Sequence, residues 1–222
     1  MNNKILRFSR TWRVQHLLLM ISVFLLIISG FSLKYSHTTI GKILIFLEGG
    51  FEARGALHRI SAFLLIFTTL YHLIYIIFTK EGRREFKALI PRKKDFDDFI
   101  KSILYDIGKT DRRPEFDRYS YKEKLQYWVI SFFVLIMVIS GAILMFHNYL
   151  FAVFPKWIID LSLSFHSWIA TLVIVFLILW HFYIVHLSPE NFPWNSSFWD
   201  GYVDEKWLRE NHYLEYKRIK EK

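Results

Sequence analysis

The sequence predicts an all-α protein, a four-helix transmembrane bundle with its N- and C-termini in the cytoplasm. The first observation is composition, because 53% of the 222 residues are hydrophobic and the mean hydropathy is +0.23, which is unusual for a soluble domain. The second is the presence of four long apolar stretches. The third is the uneven distribution of basic residues among the segments that connect those stretches.

Each apolar stretch is long enough for a membrane helix, because crossing about 30 Å of hydrocarbon takes about 20 mostly apolar residues. We expect the first stretch to remain as a helix. Its apolar run is too long for a cleaved signal, and no small-residue cleavage site follows before Tyr35. The helices are predicted at about residues 12–33, 56–78, 125–146 and 165–187.

Basic residues gather on one side of the predicted membrane. Four precede the first helix and fourteen lie between Lys80 and Lys124, whereas the connections 34–55 and 147–164 carry few charges. Basic segments stay cytoplasmic, so both termini and the middle loop are predicted to lie inside the cell. The net charge of +9 therefore reflects membrane topology rather than nucleic-acid binding. We expect a multi-pass protein of the bacterial cytoplasmic (inner) membrane.

The helices divide the chain into a membrane domain over 1–187, with an inner loop over 79–124, and a cytoplasmic tail over 188–222. In the inner loop, "DFDDFIKSILYDIG" places apolar residues at helical spacing and ends on a glycine. This pattern predicts an amphipathic helix that lies on the inner membrane surface or on a partner protein. The first outer connection is long enough for a short surface helix that ends at Gly49-Gly50.

The second and fourth helices each carry two widely spaced histidines. "HRISAFLLIFTTLYH" runs from His58 to His72, and "HSWIATLVIVFLILWH" runs from His166 to His181. A helix advances about 1.5 Å and turns about 100° per residue, so each pair shares one face at two depths about 20 Å apart. Because both helices run from outside to inside, we expect the first histidines to lie level with each other and the second likewise. Polar rings at membrane depth are costly without a partner, which indicates a functional role.

The pattern of these histidines is typical of haem ligation. The chain has no cysteine, so a cofactor has to be held by histidine, methionine or carboxylate. Two neutral imidazoles on opposite sides of a macrocycle hold haem iron in a helix bundle. Zinc needs ligands that converge on one centre, and proton relays usually include carboxylates, which these helix interiors lack. We predict two haems b, an outer one on His58 and His166 and an inner one on His72 and His181.

These two segments resemble the ligand-bearing helices of cytochrome b in quinol-oxidising respiratory and photosynthetic complexes. The whole chain is more similar to the dihaem cytochrome b subunits of formate dehydrogenases, nickel-iron hydrogenases and thiosulfate-reductase-type enzymes. That similarity rests on "QHLLLMISVFLLIISG" in the first helix and "RYSYKEKLQYW" before the third, and it covers most of residues 4–187. It implies a membrane subunit that transfers electrons between quinone and a redox partner.

The two resemblances differ in the ligand of the inner haem. In the dehydrogenase and hydrogenase group, a first-helix histidine upstream of a Ser-Gly pair holds that haem, and His16 occupies this position. Depth favours His72, because it lies about as far from the inner end of its helix as His181 does, whereas His16 lies close to the helix start. His16 stays an alternative ligand, and a third haem on His16 and His186 stays open.

The same resemblance places a quinone site before the third helix. In the formate dehydrogenase group this stretch lies beside the inner haem and the quinone head group. Ser120 and Glu123 occupy positions where that group has an Asn and a Gln, and Lys122 replaces the glycine between them. Ser120, Lys122 and Lys124 carry the hydrogen-bond donors that a quinone carbonyl requires.

Two further sets of residues have simpler expected roles. Gly30, Gly55 and Gly141 allow a helix to approach a flat macrocycle closely, although small residues are equally common at plain helix contacts in membranes. The remaining histidines fall in connections or the tail, where we expect them to be solvated. They are His37, His147 and His212.

The sequence therefore predicts an electron-transfer subunit of an oxidoreductase complex, and it carries no nucleotide motif such as GxGxxG. Quinone would exchange electrons at the inner end, and a periplasmic multihaem or iron-sulfur protein is the expected partner outside. One alternative is a haem-containing membrane anchor that docks soluble subunits without quinone chemistry. Another is a self-contained transmembrane reductase.

Overall fold

The computed structural model describes residues 3–221, which form helices apart from one pair of short strands. Four of the helices are long and apolar enough to cross a membrane. This confirms the all-α fold with four membrane-spanning helices, while the side on which the termini lie and the predicted domain boundaries stay predictions. The chain packs into two compact units. The terminal unit contains residues 3–13, 74–130 and 181–221, and the central unit contains 14–73 and 131–180.

The first third of the chain contains strand β1 and helices α1, α2 and α3. The Thr38 hydroxyl caps the short helix α2 by accepting a hydrogen bond from Gly41 N at 3.1 Å. The chain then turns at Gly49 and Gly50, whose φ angles of 89° and 97° lie in the left-handed region that favours glycine. The predicted surface helix is therefore present. The bounds are β1 Lys4–Leu6, α1 Arg10–Lys34, α2 Thr39–Leu47 and α3 Phe51–Phe78.

The middle of the chain contains helices α4, α5 and α6. Thr79 separates α3 from α4 and caps α4, because its hydroxyl accepts from Gly82 N at 2.9 Å. The helix predicted from the amphipathic pattern is α5, and it ends before Gly108, where φ is 71°. The bounds are α4 Lys80–Leu89, α5 Lys93–Asp106 and α6 Tyr121–Met145.

The fourth spanning helix starts earlier than predicted, and it ends at the predicted residue but as a π-helix. It follows the one-turn helix α7 (His147–Leu150) and starts at Lys156, well before the predicted residue 165, because the charged residues Lys156 and Asp160 interrupt the apolar run in these first turns. Helix α8 (Lys156–Phe176) continues into a π-helical segment (Leu177–Leu187), in which hydrogen bonds close over five residues. The prediction that His166 and His181 share one face of this helix assumed about 100° of rotation per residue throughout. That assumption is wrong for the π-helical residues, which include His181.

The tail is ordered and pairs with the N-terminal segment inside the terminal unit. Strand β2 lies antiparallel to β1, with Ile5 opposite Val203. Gly201 O accepts the backbone N–H groups of Arg7 and Phe8 at 2.8 and 3.1 Å, which fixes the chain next to the strands. Leu208 is fully buried. The tail elements are α9 Ser197–Asp200, β2 Tyr202–Asp204, α10 Glu205–Asn211 and α11 Tyr213–Lys220.

The central unit has small polar residues inside and large apolar residues outside. Ser22, Ser29 and Ser32 are fully buried, and the Ser29 hydroxyl donates to Leu25 O at 2.7 Å. Phe24 is 60% exposed. Apolar surface of this kind suits lipid, and small residues inside let helix backbones approach one another.

Candidate functional site

His58 and His166 face each other inside the central unit. His58 lies on α3 and His166 on α8, and their ring centroids are 6.3 Å apart with an angle of 69° between the ring planes. Both rings are half-buried. The structure therefore brings together the two histidines that the sequence assigns to the outer haem.

A serine on α1 fixes the proton position of His58. Ser29 Oγ lies 2.9 Å from His58 Nδ1 and donates its own proton to Leu25 O at 2.7 Å. Since that proton is used, the serine oxygen accepts the Nδ1–H of the imidazole. In the neutral ring, Nε2 of His58 then carries the lone pair and is the nitrogen available to a metal.

His166 repeats this arrangement with a serine on α6. Ser140 Oγ lies 2.9 Å from His166 Nδ1 and donates to Ile136 O at 2.7 Å. The same reasoning places the proton of His166 on Nδ1 and leaves the lone pair on Nε2. Two facing imidazoles are thus held in the tautomer that ligates metal through Nε2.

The glycine that follows each serine makes room for the imidazole. A Cβ atom at Gly30 would lie 3.5 Å from His58 Cε1, which is ordinary contact, and one at Gly141 would lie 3.2 Å from His166 Cε1, which is tight. The glycines therefore accommodate the ligand rings themselves, a role that the sequence-based interpretation did not include.

The spacing of the two rings suits a metal bound between them. A metal–imidazole nitrogen bond is about 2 Å long, and about 1 Å separates that nitrogen from the ring centroid. Two imidazoles on opposite sides of one metal then have centroids about 6 Å apart, close to the observed 6.3 Å. Among residues 3–221, no cluster of three histidine or acidic side chains could hold a metal ion. A facing pair of imidazoles at this spacing fits a metal whose other ligands come from a macrocycle, as in haem.

Comparison with known protein families agrees with this chemistry. The family described as prokaryotic cytochrome b561 matches residues 7–190, which is most of the chain. The chain belongs to this family. As a prokaryotic cytochrome b561, it is a multi-pass membrane protein that binds haem b and takes part in electron transfer. A comparison with curated proteins gives no match.

The sequence analysis used the Ser-Gly pair at residues 29–30 only to locate His16, and it assigned no role to Ser29 or Ser140 of this cytochrome. The signal that identifies them is a repeat, because Ile-Ser-Gly occurs at residues 28–30 in α1 and again at 139–141 in α6. Each copy contacts one histidine of the facing pair.

Histidines outside this pair lie in both units of the cytochrome. His72 lies in the central unit, where its Nδ1 is 2.8 Å from the amide oxygen Oε1 of the buried Gln15. An amide oxygen only accepts, so the ring proton lies on Nδ1 and Nε2 carries the lone pair, as in His58 and His166. His16 is half-buried on α1, next to Gln15.

The last two histidine candidates lie in the π-helical segment, within the terminal unit. His181 is half-buried there. His186 is 7% exposed and stacks on Trp194, with ring centroids 3.9 Å apart and an interplanar angle of 11°. Phe182 and Phe198 complete an aromatic cluster around His186.

Ser120 and Glu123, the predicted quinone contacts, cap helix α6. The Glu123 carboxylate accepts from Ser120 N at 2.7 Å and from Ser120 Oγ at 2.8 Å, and Ser120 Oγ lies 3.4 Å from Glu123 N. This reciprocal pattern is a capping box. Glu123 also lies 3.5 Å from Arg7 and 3.7 Å from His212.

A network of buried charges surrounds this cap in the terminal unit. Arg118 binds Glu85 through Nε at 2.9 Å and Glu215 through Nη1 at 2.6 Å, and the Tyr119 hydroxyl donates to Glu85 at 2.9 Å. Burial alone raises the pKa of Glu85, but the Arg118 charge and these hydrogen bonds outweigh it and lower the pKa. The network keeps Glu85 ionised although it is 3% exposed.

His212 belongs to the same network, so the expectation that it is solvated is wrong. It is 4% exposed, its Nδ1 donates to Asp117 O at 2.6 Å, and its Nε2 accepts from Arg7 Nη2 at 3.2 Å. Burial and the positive charge of Arg7 lower the pKa of His212 to about 3. His212 is therefore a neutral structural residue that joins the tail to the N-terminal segment.

Proposed function

We propose that this cytochrome b561 family member is a dihaem subunit that transfers electrons across the membrane between the quinone pool and a redox partner subunit. The observation that carries the proposal is the facing pair His58 and His166, each with its Nδ1–H directed to a serine. Bound haem b supplies one-electron redox chemistry at iron. The protein contributes ligands, orientation and a dry environment.

The outer haem is held by His58 and His166. The serine hydroxyls at Ser29 and Ser140 keep both rings in one tautomer and one orientation, as partners of metal-bound histidines usually do. Hydrogen bonds to Nδ1 also raise the basicity of the ligand, which stabilises the oxidised iron.

The inner haem is held by His72 and His181 in this proposal. The Gln15 contact supports His72, because it prepares the Nε2 lone pair in the same way as the serines do at the outer pair. His16 remains the alternative ligand. The stacked ring of His186 has a packing role in its aromatic cluster, so we do not include a third haem on His16 and His186.

The haem assignments are tested by optical spectroscopy of the purified chain. The reduced-minus-oxidised spectrum and the haem-to-protein ratio should correspond to two haems b. His58→Ala and His166→Ala should each remove the same haem, whereas His37→Ala, a substitution at an exposed histidine outside the spans, should remove none. Full haem content in His58→Ala would exclude the outer assignment.

We place the quinone site beside Ser120 and Glu123, at the end of α6 that belongs to the terminal unit. Support comes from the resemblance of this stretch to the formate dehydrogenase group and from the charged groups around Glu123, which offer a route for protons. The haem-containing anchor without quinone chemistry stays the alternative function. Reduction of the haems by quinol separates the two.

The quinone site is tested with the double variant Ser120→Ala, Glu123→Gln. We expect slower haem reduction by quinol, with dithionite reduction and both haems intact, because the hydroxyl donor of Ser120 and the charge of Glu123 are lost; the variant also loses the cap of α6. Thr79→Ala is the matched control, since it removes the cap of α4 at a cost of about 1 kcal/mol without touching this stretch. Quinol kinetics equal to wild type in the double variant would exclude the site.

The cellular setting follows from the same proposal. The basic middle loop supports a cytoplasmic location for both termini, in a bacterial cytoplasmic membrane. The partner is then another subunit of a respiratory oxidoreductase complex, a periplasmic multihaem or iron-sulfur protein that exchanges electrons with the outer haem.

A further inference from the structure

Helix α5 is amphipathic, but its apolar side faces away from the protein. We define its outward face as Phe96, Phe99, Ile100, Ile103 and Ile107, which are 41–67% exposed. On the opposite side of the same helix, Asp98 and Ser102 are 4% and 7% exposed. A helix of a water-soluble domain buries its apolar side instead. Something other than this chain therefore covers the outward face.

The polar side of α5 anchors it to the terminal unit. Lys124 Nζ binds both carboxylate oxygens of Asp95 at 2.8 Å, and Lys124 is 7% exposed. Lys94 pairs with the buried Asp98 and also donates to Glu115 O at 2.8 Å. These contacts fix the rotation of α5, so the outward face is a permanent feature of the fold.

The anchor places α5 at the membrane boundary. Lys124 lies in the first turn of α6, a spanning helix, and Trp128 of the next turn donates its indole N–H to Leu89 O at 3.1 Å. Tryptophan prefers the membrane–water interface. The ring of Phe99 contacts that of Tyr121, the first residue of α6, with centroids 5.6 Å apart. The outward face thus adjoins the first turn of α6.

Charge favours lipid over protein as the occupant. Arg92 and Lys93 at the start of α5 are exposed. Lys93 lies about 60° around the helix from Phe96, at one edge of the outward face, and Arg92 precedes the first turn as its N-cap. Basic side chains at the rim of an apolar face extend to anionic headgroups while their stems stay in the apolar layer.

We propose that the outward face of α5 is embedded in the headgroup region of the leaflet at which α6 begins, with Arg92 and Lys93 binding anionic lipid phosphates. The α5 helix is then a membrane-surface anchor that holds the terminal unit at a fixed depth. This role is independent of the haem and quinone assignments. It decides between the two locations, membrane surface or partner protein, that the sequence leaves open for this helix.

The test uses nitroxide spin labels on single cysteines, which is direct because the chain has no cysteine of its own. Ile103→Cys and Phe99→Cys probe the outward face, and Lys101→Cys is the matched control on an exposed side of the same helix. The full chain is placed in nanodiscs of phosphatidylcholine and phosphatidylglycerol. Collision of each label with oxygen and with a water-soluble nickel chelate is measured by EPR, and the haem spectrum reports folding.

We expect the ratio of oxygen to nickel collisions to be at least about threefold higher at Ile103 and Phe99 than at Lys101, because oxygen concentrates in the apolar layer and the chelate does not. In discs of phosphatidylcholine alone, the ratio at Ile103 should fall. Equal ratios at all three positions would overturn the proposal. So would labels shielded from both reagents, which indicate a protein partner or a second copy. An Ile103 ratio that is the same in both lipids would overturn the role of Arg92 and Lys93.

Discussion

The buried histidine of the tail, His212, should make the stability of the protein depend on pH in a defined window. Its pKa is about 3 in the folded protein and about 6.5 in an unfolded chain. Between these values the unfolded chain binds a proton that the folded protein does not. Stability therefore rises with pH across the window and is lost as the pH falls below about 6.5.

The size of the effect follows from the difference between the two pKa values. Each pH unit within the window corresponds to about 1.4 kcal/mol. Lowering the pH from 6.5 to 4.5 should then cost about 2–3 kcal/mol. Glu85 and Glu190 also have lowered pKa values, but carboxylates titrate below about 4.5, so their contributions fall outside this range.

His212→Gln is the perturbation that isolates this histidine. A glutamine amide N–H can donate to Asp117 O and its oxygen can accept from Arg7, but the side chain does not titrate. Thermal unfolding in detergent, followed by tryptophan fluorescence at several pH values, gives the stability difference between wild type and variant. We expect that difference to change by about 2–3 kcal/mol between pH 6.5 and 4.5. Parallel pH profiles would show that His212 is protonated or solvated in the folded protein.

Two further predictions concern the haem ligands. Gly141→Ala should alter the haem spectrum or lower the haem content, because the new methyl group lies 3.2 Å from His166 Cε1. Gly30→Ala should be tolerated, because its methyl group lies 3.5 Å from His58 Cε1. Equal effects of the two substitutions would contradict this geometry. Gln15→Leu should weaken binding of the inner haem by about 10- to 100-fold, as loss of a partner of a metal-bound histidine does. Unchanged content of that haem would argue against His72 as its ligand.

The spanning helices were accessible from the sequence because membrane insertion depends on hydropathy averaged over about 20 residues. That average is insensitive to polar turns, so it missed the start of the fourth helix at Lys156 and the transition to π-helix at Leu177. Helix α4 was also missed, because its residues Lys80–Leu89 are mostly charged and show no apolar run. The sequence signal for this helix is its N-cap residue, Thr79.

The histidine pair His58 and His166 was predicted because spacing along a helix fixes both depth and face. The partners of those rings were not predicted, since a serine hydroxyl acts only where tertiary structure brings it within hydrogen-bonding distance of Nδ1. The same limit applies to His212, whose burial depends on Arg7, about two hundred residues earlier in the chain.

The pairing of β1 with β2 has a consequence for biosynthesis. The central unit is complete once residue 180 has been made, and Arg7 already has Arg118 and Glu123 as partners, but its tail partners Gly201, His212 and Glu215 do not yet exist. The free-energy cost of closing a loop grows only with the logarithm of its length. The long separation between β1 and β2 in the sequence therefore costs little stability and mainly delays their pairing. We expect these contacts of the N-terminal segment to form only after residues 201–215 have been synthesised. A chain truncated before residue 201 would keep the four candidate spanning helices but leave Arg7 without its partners in the tail.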